Sequence, residues 1–394
     1  MAQSSGADAL AAQASTIRAA AAETAQLDHQ REEDGGGDDL IHIGEYARIL
    51  KQYLPKECFE PVPVRLLGAV PYLAVIVGGI WLTASVPMHW AVQLLVSVAI
   101  GMSFGALGFL GHEVLHGAVV RTPWLRNLLG QICFWPFNLG PLLWRRWHNV
   151  EHHGMAQHPE EDPDAMHTLE EFHERPALQV LYRLSPWLRA LLMFLSLSVW
   201  FSIHSFRMLV TFIGDFPRSR RWVVLAQFLM PAAFWLGLGF VIGWRAWVFA
   251  YLLPLLVANF LVMSYISTNH LINPLTPIND PLAGSLTVRT ARWVDVLHFN
   301  FSHHTEHHIF PAMNPRYAPL VQKHCKELWP ERYNEMPHWE ALMVVCLTPR
   351  LYLRYNQLVD PFRRLVYPVL GHGLIPGRKL EPRPLAGAGT DESL

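Results

Sequence analysis

Four stretches of the chain, residues 66–86, 90–111, 222–243 and 246–268, run for about twenty residues each almost without charge. A helix needs about 20 apolar residues to cross a bilayer core about 30 Å thick. The expected fold is therefore an all-α membrane protein with four transmembrane helices in two hairpins. Pro231 and Pro254 fall inside the last two stretches. Membrane helices tolerate such kinks where neighbours satisfy the freed carbonyls.

Only 16% of the residues are charged, against about a quarter in a soluble domain. The formal charge of -1 provides no broad basic field, so no nucleic acid partner is expected. Cys58, Cys133, Cys325 and Cys346 lack metal-knuckle or redox spacing and read as reduced and inert. Residues 1–40, with the run REEDGGGDD and no aromatic apart from histidine, are expected to form a disordered arm without a secretory signal. Residues 41–375 are expected to form the membrane domain and 376–394 a disordered tail.

Two further apolar stretches, 125–143 and 186–214, are interrupted by Arg126, Asn127 and Pro136 and by Arg189, His204 and Arg207. They read as helices lying in the interface. Between the first two spans there is no Lys or Arg, and between the last two only Arg245, whereas 112–221 carries Arg121, Arg126, Arg145, Arg146 and RSRR. Positive charge thus assigns the N-terminus, a cap built from 112–221 and 269–375, and the active site to the cytoplasm, in a bacterial inner membrane or the endoplasmic reticulum.

The histidines gather on that one side. HEVLH holds His112 and His116, HNVEHH holds His148, His152 and His153, His270 follows the fourth span, and HHTEHH holds His304, His307 and His308. A fifth crossing by 186–214 would separate the last group from the first two. With 21 histidines in the chain, random placement gives about one pair at i,i+4, so one such pair is weak evidence and three boxes are not. HEVLH also satisfies HExxH, the zinc-protease pattern, with Glu113 as base and Asp280 as a further ligand. That reading leaves six box histidines without a purpose. A non-catalytic metal-binding receptor is the other alternative. Nine imidazoles exceed one tetrahedral zinc and suit two ions, whose identity imidazole alone does not fix.

The three boxes, with IFP after the last and four spans around them, resemble the integral-membrane fatty acid desaturase and hydroxylase superfamily over roughly residues 60–350. The resemblance implies a non-haem di-iron centre held by His112, His116, His148, His152, His153, His304, His307 and His308, with His270 as the extra ligand. It also implies O2 as co-substrate and a fatty-acyl desaturase, or else a hydroxylase or ketolase of alkanes, carotenoids or sterols. Stearoyl-type enzymes have HxxxxH, HxxHH and an asparagine four residues before the extra histidine; this chain has HxxxH, HxxxHH and Ile266. Acyl-lipid desaturases and alkane-hydroxylase-like enzymes are more similar. The substrate is expected to be an acyl-lipid, acyl-CoA or acyl-carrier chain. Electrons are expected from a separate ferredoxin, rubredoxin or cytochrome b5 type donor.

Carboxylates that could orient the ring N–H groups are Glu113, Glu151, Asp162, Asp164, Asp295 and Glu306, with His303 as a further candidate. His158, His167, His173, His204, His298 and His324 read as surface or packing residues. Trp135, Trp144 and Trp147 beside Arg145 and Arg146 read first as interfacial anchors, and second as a receptor for an acyl chain and its headgroup.

Overall fold

The computed structural model describes residues 40–385. The expected disordered arm, apart from Leu40, and the last nine residues of the expected tail lie outside them. Helix α1 (Ile43–Leu50) leads into α2 (Ala69–Ser85) and α3 (Trp90–His116). A helix of 27 residues is about 40 Å long, some two turns more than a bilayer core. Those last turns carry HEVLH. His89 caps the start of α3, its side chain accepting from Ala91 N–H, and Gly117 ends it at φ 87, a left-handed C-cap that a side chain would strain.

Helix α4 (Pro123–Phe134) runs back along α3. A Cβ on Gly130 would lie 2.4 Å from the Leu115 side chain, and one on Gly111 2.7 Å from Cys133, so the two helices touch through their backbones. The chain then reverses through Trp135–Phe137 and Asn138. Its freed carbonyls are satisfied: Trp235 Nε1 donates to Trp135 O at 3.2 Å, and Tyr251 Oη to Pro136 O at 3.1 Å. Buried irregular backbone requires such partners. The stretch expected to be one interfacial helix over 125–143 is thus a helix and a returning limb. That limb, Pro141–Trp144, continues as the π-helix Arg145–His152.

Three long helices follow, α5 (Pro186–Phe212), α6 (Arg218–Ile242) and α7 (Leu253–His270). Helix α7 packs tightly on α3: a Cβ on Gly101 would stand 2.6 Å from Pro254 O. Among the described residues five helices, and not four, are long and apolar enough to cross a membrane; the fifth is Pro186–Asp215. The polar residues that argued for an interfacial helix are matched internally. Arg189 pairs with Asp360 and donates to Tyr182 O at 2.9 Å, His204 Nε2 meets Asp164 Oδ1 at 2.7 Å, and Arg207 donates to Pro163 O at 3.2 Å.

The cap is completed by α8 (His304–Ile309), α9 (Ala318–Leu328), α10 (His338–Leu347) and short strands that an all-α reading did not include. Strands β1 (Thr287–Arg289) and β2 (Glu335–Pro337) pair in parallel. Strands β3 (Tyr352–Arg354), β4 (Gln357–Asp360), β5 (Leu365–Pro368) and β6 (Arg383–Pro384) form an antiparallel sheet in sequence order. Strand β6 falls within the segment expected to be a disordered tail, and pairs Arg383 with Val366.

Candidate metal centre

All nine expected histidines converge, in two groups. His112, His116, His148, His153 and His307 each offer a ring nitrogen, all within 4.8 Å of one another; His152, His270, His304 and His308 do the same. The groups adjoin, with the rings of His153 and His308 stacked at 4.3 Å.

Local backbone explains the division. His112 and His116 share one face of α3, and His304 and His308 one face of α8, as i,i+4 spacing requires. His307 sits between them in sequence and turns to the other group. The π-helical turn sets HNVEHH apart, because His153 N–H donates to His148 O at 2.9 Å, across five residues. His148 therefore aligns with His153 and not with His152, which faces the second group.

The Nε2 atoms point at one another. His112 and His148 approach to 3.1 Å, His153 and His307 to 3.2 Å, His270 and His304 to 2.7 Å, and His304 and His308 to 3.0 Å. His304 Nε2 faces two like atoms and can hydrogen-bond to only one neighbour as a donor. His116 Nε2 is buried with no partner. Buried nitrogen lone pairs converging in this way suit a cation, and a soft-to-borderline divalent ion takes imidazole readily. Burial first, then neighbouring imidazoles, hold His148, His153, His304 and His308 well below the ordinary histidine range, and burial with His152 brings His307 to about 3. Neutral rings are the ligating form. His152 differs: burial pushes it down, but the Asp162 carboxylate outweighs burial and raises it to about 9.

Asp162 is the principal orienting acid. Its two oxygens lie 3.0 and 3.2 Å from His152 Nδ1 and also accept from the backbone N–H groups of Gln157 at 2.8 Å and Asp164 at 2.9 Å. Asp164 stands 3.5 Å from His152 Nδ1 and accepts from Trp147 Nε1 at 3.0 Å. His270 Nδ1 donates to Gly284 O at 3.1 Å, a partner no sequence pattern signals. The remaining acids serve elsewhere. Glu151 pairs with Arg146, Asp295 accepts from Thr290 and Ser302 hydroxyls, and Glu306 accepts from Thr287 Oγ1 at 2.7 Å and Tyr333 Oη at 2.5 Å. His303 Nδ1 is 3.9 Å from Glu306 and touches no ligating ring through that atom. His204, read as a packing residue, proves to be the partner of Asp164.

Glu113 is not free to act as a protease base. Both its oxygens are taken by Arg65, at 2.6 Å each, and Arg65 also donates to Phe299 O at 3.1 Å. Asp280 caps the turn Pro281–Gly284 and pairs with Arg332 at 2.6 Å, so it is no third ligand for HEVLH.

An apolar cavity of about 360 Å³ reaches His112 and His148. Phe109, Phe137, Trp147, Leu197 and Ile266 are among its walls, with Ser196 and Met193 on α5. Trp144 also lines it, its ring centroid 4.4 Å from that of His148. Trp144 and Trp147 of the Trp-rich stretch before HNVEHH are thus buried cavity wall.

Residues 88–340 match the fatty acid desaturase family. Among curated relatives, the chain is 26% identical to the sn-1 acyl-lipid omega-3 desaturase (ferredoxin) of Synechocystis, over 74% of this chain and 84% of that protein. It is 24% identical to the sn-1 oleoyl-lipid 12-desaturase of Picosynechococcus, over 77% and 89%. It is 23% identical to the chloroplastic omega-6 fatty acid desaturase of Spinacia oleracea, over 76% and 68%. With imidazoles in two groups, one of them reaching an apolar cavity through His112 and His148, these matches make the protein an oxidoreductase of lipid chains, and the chain belongs to the fatty acid desaturase family.

Proposed function

We propose that the protein desaturates the acyl chain of a membrane glycerolipid, using two iron ions held by the five-histidine and four-histidine groups. The carrying observation is the convergence of nine imidazoles in two adjoining groups, the first of which reaches an apolar cavity through His112 and His148. His112, His116, His148, His153 and His307 would hold one ion and His152, His270, His304 and His308 the other. When bound, such a centre supplies the oxidising power, drawn from O2 and two electrons, that removal of hydrogen from an unactivated methylene demands. The protein's own part is placement. Asp162 and Gly284 O fix the rings of His152 and His270 by their Nδ1 atoms, leaving Nε2 toward the ion. Phe137, Trp147 and Leu197 hold an apolar chain beside His112 and His148 and exclude water from it.

The names of the relatives favour an acyl-lipid over a thioester substrate, and ferredoxin as the class of separate electron donor. Positive charge on 112–221 favours a cytoplasmic site. Convergence also bears on α5. If α6 and α7 both cross, α3 and α7 end on one side only when α5 does not complete a crossing of its own. We infer four crossings, with α5 packed against α7 from the cytoplasmic side. Expression in a host lacking polyunsaturated lipids, followed by lipid profiling and metal analysis, tests the reading. New double bonds and about two irons per chain are expected, given the two groups of ligands. Hydroxylated products alone, or a single zinc, would overturn it.

A further inference from the structure

Three arginines near the cytoplasmic ends of the helices stand without acids. Among the described residues Arg126 on α4, Arg145 at the start of the π-helix and Arg220 in the first turn of α6 form no ion pair, whereas the adjacent Arg146 is matched by Glu151 and, at 2.7 Å, by Asp215. Arg145 Nη1 donates to the neutral Asn127 Oδ1 at 2.6 Å. The Nε of Arg126 is buried with no acceptor. The Arg145–Asn127 bond sets Arg145 beside the turn of α4 that carries Arg126, and burial, then the like charges of Arg126 and Arg220, depress the pKa of Arg145.

Like charges gathered in a half-buried niche repel one another, and an anion relieves that cost. Guanidinium forks match phosphate oxygens in geometry as well as charge. The surroundings indicate where the phosphate comes from. Beside the niche α4 exposes Trp124 (67%), Leu128 (50%) and Ile132 (44%) at four-residue spacing, and α6 exposes Trp222 (76%). These are apolar faces for acyl chains, with tryptophans at the level of headgroups. The two helices are tied below the arginines by Gln227, whose carbonyl accepts from Gln131 Nε2 at 3.1 Å and whose Oε1 accepts from Leu142 N–H at 3.2 Å. Arg126 and Arg145 are themselves half-buried, which suits a small anion better than a flat protein surface.

We propose that Arg126, Arg145 and Arg220 form a binding site for the phosphate headgroup of an anionic phospholipid whose chains lie along the exposed apolar faces of α4 and α6. The site is separate from the acyl cavity, which none of the three arginines lines. It needs only the membrane setting and does not depend on the metal or substrate.

Native mass spectrometry of the full chain in detergent, with added phosphatidylglycerol or phosphatidylcholine, tests this. Wild type should retain phosphatidylglycerol with about tenfold preference, and R126Q/R145Q/R220Q should retain the two equally. Excess inorganic phosphate should leave the bound lipid in place. R220Q alone, at an exposed position, should lose part of the preference and serves if the triple variant aggregates. Equal retention by wild type, preference surviving in the variants, or displacement by inorganic phosphate would each overturn the proposal. So would weaker binding of an acidic ferredoxin by R220Q with lipid retention unchanged, which would assign the arginines to a protein partner.

Discussion

Replacing Asp162 by asparagine removes one oxygen from a carboxylate whose two oxygens serve three donors. Oδ2 accepts from Gln157 N–H at 2.8 Å and Oδ1 from Asp164 N–H at 2.9 Å, while His152 Nδ1 lies within 3.2 Å of both. The side chain is only 1% exposed, so water does not substitute. In either orientation of the asparagine amide, its NH2 faces one backbone N–H and leaves it unsatisfied. One orphaned buried donor costs about 2 kcal/mol, which thermal unfolding would register. The charge that holds His152 is also lost, so the four-histidine group should bind its ion about 10–100-fold more weakly. Titration of metal-stripped protein with ferrous iron, read by metal content at each free concentration, should give one site near wild-type affinity and one weakened. Asp164→Asn should disturb binding less, because Asp164 is 3.5 Å from His152 and chiefly bonds His204 and Trp147. If D162N binds both ions as wild type does, Asp162 does not position His152 and the assignment of that group fails.

Glu113→Gln should leave desaturation intact in the folded fraction but lower stability by about 2 kcal/mol, since it strands the partly exposed Arg65; an unchanged unfolding midpoint would refute the pairing's role. Ser196→Phe places a ring in the cavity and should abolish new double bonds while metal content stays at the wild-type level; undiminished product would remove the cavity from the substrate path. His298, buried and next to His338, has its pKa lowered to about 4, and its Nδ1 lies 2.8 Å from Tyr265 Oη. The unfolded chain takes up that proton first as pH falls from about 6.5 to 4, so stability drops over this window by at most about 3 kcal/mol. His298→Gln keeps an acceptor for Tyr265 and should flatten the drop between those pH values; an identical acid profile would refute the assignment.

The histidines were legible in the sequence because few other uses explain three boxes and a lone His270 at the ends of apolar spans. Their division into groups was not. Counting i,i+4 pairs assumes an α-helix, and by that count His148 belongs with His152. The partners of α5 were hidden for a related reason: the acids that match its Arg189 and His204 are Asp360 and Asp164, in segments that only tertiary structure brings near. Glu113 looked like a base because nothing local to HEVLH reveals Arg65, 48 residues earlier.

The π-turn has a functional consequence of its own. In an α-helix His148 and His152 would lie on one face and serve one ion, with His153 turned about 100° away from His152. Widening the turn by one residue aligns His148 with His153 and releases His152 toward His270 and His308, whose rings lie 4.8 and 5.1 Å from its own. One short segment thereby contributes to both groups and fixes their separation. The spacing HxxxHH is therefore a geometric requirement of this centre: removing Val150 or Glu151 would carry His153 off the face it shares with His148 and leave the five-histidine group short of a ligand.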